Sequence, residues 1–215
     1  MLRIKVFVFN PVRENTYLLY DRTKEAVIID CGACIGNEKK QLSDFIHEQG
    51  LTLKHVLNTH LHFDHVLGNK FLYETYGLKP EYHLADEAMP GLKDGIVDFE
   101  SFTCKYDAVF AEQYIEDKGL ISFGDSCLEA LSTPGHSPGS LSFYSEKDAC
   151  VFTGDALFRF GIGRTDLWGG NYEELIQSIK NKLFALPGNT VVYPGHAEAS
   201  TIGEEKTHNP YLKRI

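Results

Sequence analysis

Apolar and polar positions alternate through LRIKVFVF near the start of the chain, merge into a nearly unbroken apolar run in NTYLLYD, and alternate loosely again in EAVIID. The turn-prone stretches NPVRE and DRTK separate them, so short runs of period two predict an antiparallel meander of three strands. The period then changes. In NEKKQLSDFIHEQG (37–50), Leu42, Phe45, Ile46 and Gln49 share one helical face and Gly50 marks its end. KHVLNT (54–59) reads as a buried strand, VLGNKFLYETYG (66–77) as a loosely patterned helix stopped by Gly77, and EYHLA (81–85) as a short strand. Residues 85–119 carry no clear period, and AEQYIEDKG (111–119) is the part of them that reads as helical. Strands return in LISF, SCLEALST, GSLSFYS and DACVFTGD. A helix over 171–186 follows, with Asn171 as N-cap and Leu175, Ile179, Leu183 and Leu186 on a stripe, and then the strand NTVVYPG. Strands outnumber helices, and the helices are interspersed in both halves, which suits two sheets with helices outside them.

Length and charge narrow the class. At 215 residues with 43% hydrophobic content, and without repeats or a low-complexity linker, the chain is expected to form one domain over 1–215. No apolar stretch is long enough to span a bilayer, and the start lacks a signal-peptide pattern, so a cytoplasmic location is expected. Lysine and arginine total 21 against 30 acidic residues; a net charge of −9 gives no general field for nucleic acid or an anionic membrane, and neither is expected as a partner. Five cysteines in such a chain are expected to be reduced thiols. Cys31 and Cys34 form a CxxC, but no second CxxC exists, and small buried side chains at a glycine-containing turn are the simpler explanation.

The chemistry concentrates in NTHLHFDHVLG. His60 and His62 lie two apart and point to one side only in extended backbone, so the cluster sits where a strand gives way to a loop and then a helix, the place where α/β proteins put their chemistry. Asp64 and His65 complete it. Three more metal-binding side chains, His136 in STPGHSPGS, Asp155 in VFTGDAL and His196 in VVYPGHAE, follow glycines at the ends of expected strands. A lone turn histidine is more often a hydrogen-bonded surface group. Here five of nine histidines share this setting, whereas His47, His55, His83 and His208 do not and are assigned no role. Five imidazoles and two carboxylates exceed what one tetrahedral ion needs and fit two adjacent ions, with a carboxylate between them.

THLHFDH, followed in order by TPGHSPG, TGDALF and YPGHA, resembles the metallo-β-lactamase superfamily, whose signature is HxHxDH with His, Asp and His downstream. GDALFRFGIGRTD and STIGEEKTHNPYL are further similar to short, single-domain type II glyoxalases, which are hydroxyacylglutathione hydrolase-like. The resemblance implies an α/β fold, a four-layer αββα sandwich of two mixed sheets flanked by helices, with the metals at one edge. It implies that His60, His62 and His136 bind the first ion, that Asp64, His65 and His196 bind the second, and that Asp155 bridges. Zinc is the default ion, with iron and manganese as alternatives.

The reaction so implied is hydrolysis of a small-molecule thioester such as S-lactoylglutathione by a metal-bridged hydroxide, with Asp64 and Asp155 as catalytic carboxylates. A thiolate leaving group of pKa about 8.5 needs no strong general acid. An amide or lactam would need its nitrogen protonated, with Asp64 as the donor. Arg164, in GIGRTD, is the candidate contact for a substrate carboxylate. Lys206 and Lys213 are weaker candidates for a second cation. Longer type II glyoxalases carry a helical glutathione-binding domain after the last ligand, where 19 residues follow His196 here. A second reading has the same pattern: persulfide dioxygenases share the fold and the GRTD loop but use one iron, held at the positions of His60, His136 and Asp155. Hydrolysis of another small ester or lactone is a third. The PGHA context of His196 and the tail favour the thioester hydrolase, and the filled ligand set argues against a degenerate, purely binding protein. The sequence leaves the oligomeric state open.

Overall fold

The structure is a computed structural model that describes residues 1–92, 94–99 and 102–212. The first sheet takes the order β1 (Arg3–Phe9), β2 (Glu14–Tyr20), β3 (Glu25–Ile29), β4 (Thr52–Leu57) and β5 (Pro80–Glu81). Its first three strands form the expected antiparallel meander, and β4 and β5 then join in parallel after helical crossovers. α1 (Gly36–Gln49) ends on the left-handed Gly50. In the 66–77 stretch the helix α3 covers only Asn69–Tyr76, and the short α2 (Phe63–Val66) precedes it. Between them Gly68 packs so closely on Cys31 that a Cβ there would collide with its sulfur.

The hairpin of β6 (Asp94–Phe99) and β7 (Phe102–Asp107) leads into the second sheet. That sheet contains β8 (Leu120–Phe123), β9 (Ser126–Ser132), β10 (Leu141–Ser145) and β11 (Cys150–Gly154), joined antiparallel. A small ribbon of β12 (Leu157–Phe158) and β13 (Gly161–Ile162) follows. α4 (Tyr172–Ser178) then runs into a wider π-type turn over Ile179–Leu183. The chain re-enters the sheet as β14 (Val191–Pro194), parallel to β11, and closes with β15 (Ser200–Thr201) and α5 (Ile202–His208).

Both faces of each sheet are covered, which is why β2 reads as nearly continuous apolar sequence: all its residues are buried. Leu19, Val27, Ile29 and Leu57 meet Leu141, Phe143 and Phe152 between the sheets. Leu18, Ile28 and Val56 turn outward to Leu42 and Ile46 of α1, while Val151 and Val192 turn outward to Leu175, Ile179 and Leu183. The four layers are therefore α, β, β and α, as expected. No helix among the described residues is long and apolar enough to cross a membrane.

Three local expectations are corrected. EYHLA contributes only the end of β5 and an isolated bridge at Tyr82 before a 3-10 turn over Leu84–Ala88. AEQYIEDKG is not helical; Tyr114 bridges to Tyr82 in extended backbone, and Ile115 enters the inter-sheet core. The cysteines are not all thiols. Cys34 is disulfide-bonded to Cys104, with Cα atoms 6.1 Å apart, tying the loop after β3 to the β6–β7 hairpin across 70 residues. Cys31 remains a buried thiol, as its small size at a tight turn implied.

Candidate metal centre

All seven candidate ligands meet at one edge of the sandwich, just beyond the carboxyl ends of β4, β9, β11 and β14. His60 and His62 follow β4, and His62, in extended backbone, is the N-cap of the short α2 that carries Asp64 and His65. His136 follows β9, while Asp155 and His196 follow the neighbouring parallel strands β11 and β14. Asn15, at the start of β2, clamps the last of these loops by donating from Nδ2 to the carbonyls of Pro194 (3.0 Å) and Ala197 (2.9 Å).

The donor atoms fall into sets. One ligand atom from each of His60, His62 and His136 lies within 4.8 Å of the others, and the same holds for Asp64, His65 and His196. His136 Nε2 faces His62 Nδ1 at 2.8 Å, and His196 Nε2 lies 3.2 Å from Asp64 Oδ2. Asp155 stands between the sets, with Oδ1 3.4 Å from His65 Nε2 and Oδ2 3.6 Å from His136 Nε2 and 3.7 Å from His196 Nε2. His60 Nε2, His65 Nε2 and Asp155 Oδ1 are buried without any hydrogen-bond partner. Such orphaned polar atoms are costly unless something fills the space between them, and this donor set fits divalent cations.

The outward Nδ1 atoms of His60, His65, His136 and His196 are held, which fixes their tautomers. His136 Nδ1–H donates to the Arg164 carbonyl (2.7 Å) and His196 Nδ1–H to the Val12 carbonyl (3.1 Å). His65 Nδ1–H donates to Asp30 Oδ2 (2.9 Å), and the Thr59 hydroxyl donates to the same oxygen (2.7 Å) while accepting from His60 Nδ1–H (3.0 Å). One buried carboxylate thus stands behind a histidine of each set. Asp86 joins two ligand loops by accepting from Leu61 N (3.1 Å), Ser137 Oγ (2.9 Å) and Gly139 N (2.6 Å). Glu14 lies deeper, beside Asp30 and His65, and burial raises its carboxyl well above the usual range. None of Asp30, Asp86 or Glu14 was singled out by the sequence; the available signal for Asp30 was a charged residue ending the apolar run EAVIID.

The two sets differ electrostatically. Burial, reinforced by neighbouring imidazoles, holds His60 well below its ordinary pKa and brings His62 down to about 4. Burial opposes protonation of His65 as well, but Asp64, Asp155 and Asp30 outweigh it and raise the pKa. His196 is likewise raised, by Asp64 and Asp155 against burial. For Asp64 and Asp155 burial acts upward, yet the adjacent histidines hold both below the ordinary carboxylate value. The carboxylates are therefore ionised and His60 and His62 neutral, the forms that bind metal.

The ligands open into a cleft of about 680 Å³, within the range of small-molecule sites. Arg164 lines it, as expected, but its guanidinium forms a bidentate pair with Asp166 at 2.8 and 2.7 Å. Gly163 packs not on a substrate space but on Asp155 and His136; a Cβ there would strike the Asp155 carbonyl oxygen. Lys206 does not reach the cleft and stands over the Phe184 ring at 5.7 Å, and Lys213 lies outside the described residues.

A family model for the metallo-beta-lactamase superfamily matches residues 9–196, and the chain belongs to that superfamily. Its histidine–aspartate cluster is accordingly a metal centre, and its relatives divide in chemistry. Over 208 residues it is 38% identical to the probable metallo-hydrolase YqgX of Bacillus subtilis, covering 94% of this chain and 93% of that one. It is 33% identical to the hydroxyacylglutathione hydrolase GloC of Haemophilus influenzae, covering 98% of both, and 36% identical to the human mitochondrial persulfide dioxygenase ETHE1, covering 95% of this chain and 74% of that one. Among solved structures, the BLEG-1 B3 metallo-beta-lactamase superposes with a TM-score of 0.86 at 34% identity, over 98% of this chain and 100% of that one. TTHA1623 in a di-iron-bound form superposes with a TM-score of 0.80 at 32% identity, over 97% and 100%.

Proposed function

We propose that this protein is a two-metal thioester hydrolase. His60, His62 and His136 would hold one divalent cation and Asp64, His65 and His196 the other, with Asp155 available to both; zinc is the ion most suited to so many imidazoles. The observation that carries this reading is the placement of Asp155, one oxygen toward His65 and the other toward His136 and His196. A one-ion site would leave His65 Nε2 buried without a partner. A relative with two irons supports the same count.

Two divalent ions held there would supply Lewis acidity, yielding a nucleophile from water at neutral pH and polarisation of the substrate carbonyl. The chain's own groups then narrow the leaving group. Asp64 and Asp155 are held as carboxylates, so neither has a proton ready for an amine. A thiolate, with a pKa of about 8.5, departs without one. Water adds to the acyl carbon, the C–S bond breaks, and the sulfur leaves with the bonding electron pair and takes up the proton lost by the water. The experiment compares turnover of S-acyl thioesters with oxygen uptake on glutathione persulfide. Thioester cleavage without oxygen uptake is expected; oxygen uptake on persulfide without thioester cleavage would replace the hydrolase with the dioxygenase chemistry named for its human relative.

A further inference from the structure

Among the described residues, the cleft beyond the metal ligands and Arg164 is lined by apolar side chains. One wall is Leu61, Met89, Leu92, Val97 and Tyr106, drawn from the ligand loop, the segment before the hairpin and the hairpin itself. The single polar atom of that wall, the Tyr106 hydroxyl, donates to the Gly91 carbonyl at 2.7 Å. The mouth is ringed by Val12, Phe63, Leu167 and Trp168, each more than a third exposed. Four large apolar side chains around one opening mark a surface built to be covered. The only lysine or arginine lining the cleft, among the described residues, is Arg164, and Asp166 already neutralises it.

This lining is a poor match for a glutathione moiety, which brings two carboxylates and an ammonium group. Charges taken out of water need partners, and among the described residues these walls supply none. Methylene groups, in contrast, gain about fourfold in binding for each one fully buried.

We infer that the substrate presents an apolar, uncharged acyl chain to the wall of Leu61, Met89, Leu92, Val97 and Tyr106, closed over at the mouth by Leu167 and Trp168, and that glutathione is not what the cleft recognises. This rests on the thioester reading for its chemistry but on the lining alone for its specificity. Leu167 and Trp168 are then specificity-determining residues, and the GIGRTD loop acts through the apolar pair that follows it rather than through its arginine.

Trp168 is the sole tryptophan of the chain, so its fluorescence reports the cleft mouth directly. The test has two arms. In the first, kcat/KM is measured for acetyl, butyryl and hexanoyl thioesters of uncharged N-acetylcysteamine and for S-lactoylglutathione. A rise of about tenfold or more from acetyl to hexanoyl is expected, with S-lactoylglutathione below hexanoyl and with Trp168→Ala shrinking the hexanoyl-to-acetyl ratio. A flat or falling series, or S-lactoylglutathione as the best substrate, overturns the inference. In the second, Trp168 fluorescence is titrated with hexanamide and acetamide, neither of which is a thioester. Hexanamide is expected to bind about tenfold more tightly or better. If no thioester turns over but hexanamide still binds selectively, the thioester reading fails and the apolar cleft stands; if hexanamide shows no preference over acetamide, the cleft reading fails whatever the turnover.

Discussion

Replacing Asp30 by asparagine keeps the volume of the side chain and removes its charge at a position 1% exposed. The carboxylate accepts three hydrogen bonds, from Thr59 N (2.8 Å), the Thr59 hydroxyl (2.7 Å) and His65 Nδ1 (2.9 Å). An amide oxygen turned to Thr59 N leaves the amide NH2 facing the other two donors, so at least one charge-assisted bond, worth about 1.5–3 kcal/mol, is lost. At 1.36 kcal/mol per decade that corresponds to about 10- to 100-fold, the usual cost of removing a group that orients a metal-bound histidine. Because His65 touches Asp30 directly and His60 only through Thr59, the ion held with His65 is expected to weaken more than the one held with His60. Thr59→Val reverses that order, since it removes the acceptor of His60 Nδ1–H and one donor to Asp30 while leaving His65 Nδ1–H bonded to that carboxylate. Competition with a chromophoric chelator, with thermal unfolding measured in parallel, reads the two affinities apart from fold stability. Two ions bound within threefold of the native affinity in Asp30→Asn would refute the role given to this carboxylate.

Acidification is expected to strip the ions in sequence. His65 and His196 have raised pKa values, so protons compete for them from above the ordinary 6.5, whereas His62, at about 4, stays neutral far below it. Metal analysis after dialysis at stepped pH should show loss first from the Asp64–His65–His196 set; simultaneous loss would contradict this. In Gly195→Ala the new Cβ meets Asp155 Oδ1 and, at 2.7 Å, His65 Cε1. A displaced shared carboxylate is expected to lower kcat by about 100-fold with little change in secondary structure by circular dichroism. Phe152→Ala empties the centre of the inter-sheet core, where the ring stacks on Tyr193 at 5.2 Å and meets Tyr17 at 5.1 Å. Denaturant titration should show a loss of about 3–5 kcal/mol with metal content unchanged in the native baseline.

The cluster of candidate ligands was legible because metal chemistry leaves narrow choices of residue, and because His60, His136, Asp155 and His196 each stand just beyond a strand. The layers were legible because burial of both sheet faces writes itself as period two and as near-continuous apolar sequence. What escaped was non-local. Asp30, Asp86 and Arg164 act on ligands through hydrogen bonds that span 25 to 53 residues, and in the case of Arg164 through a carbonyl every residue possesses. The β6–β7 hairpin was hidden for a different reason: the charges and glycine of DGIVDF suppress alternation, while FTCKYD alternates over only six residues and is fastened by Cys104, whose partner lies 70 residues away. The odd number of cysteines argues for reduced thiols, a statistical expectation that the proximity of Cys34 and Cys104 overrides. Arg164 shows the converse error, a residue correctly placed in the cleft whose charge is already spent on its neighbour.

The most direct test is the number of metal ions per chain, measured by mass spectrometry on protein purified without added metal and again after loading with zinc and removal of excess. Two ions per chain are expected, falling to about one in His65→Ala, whose set loses a ligand while the His60, His62 and His136 set is left whole. A single ion in the loaded native protein, unchanged by that substitution, would contradict the two-metal centre.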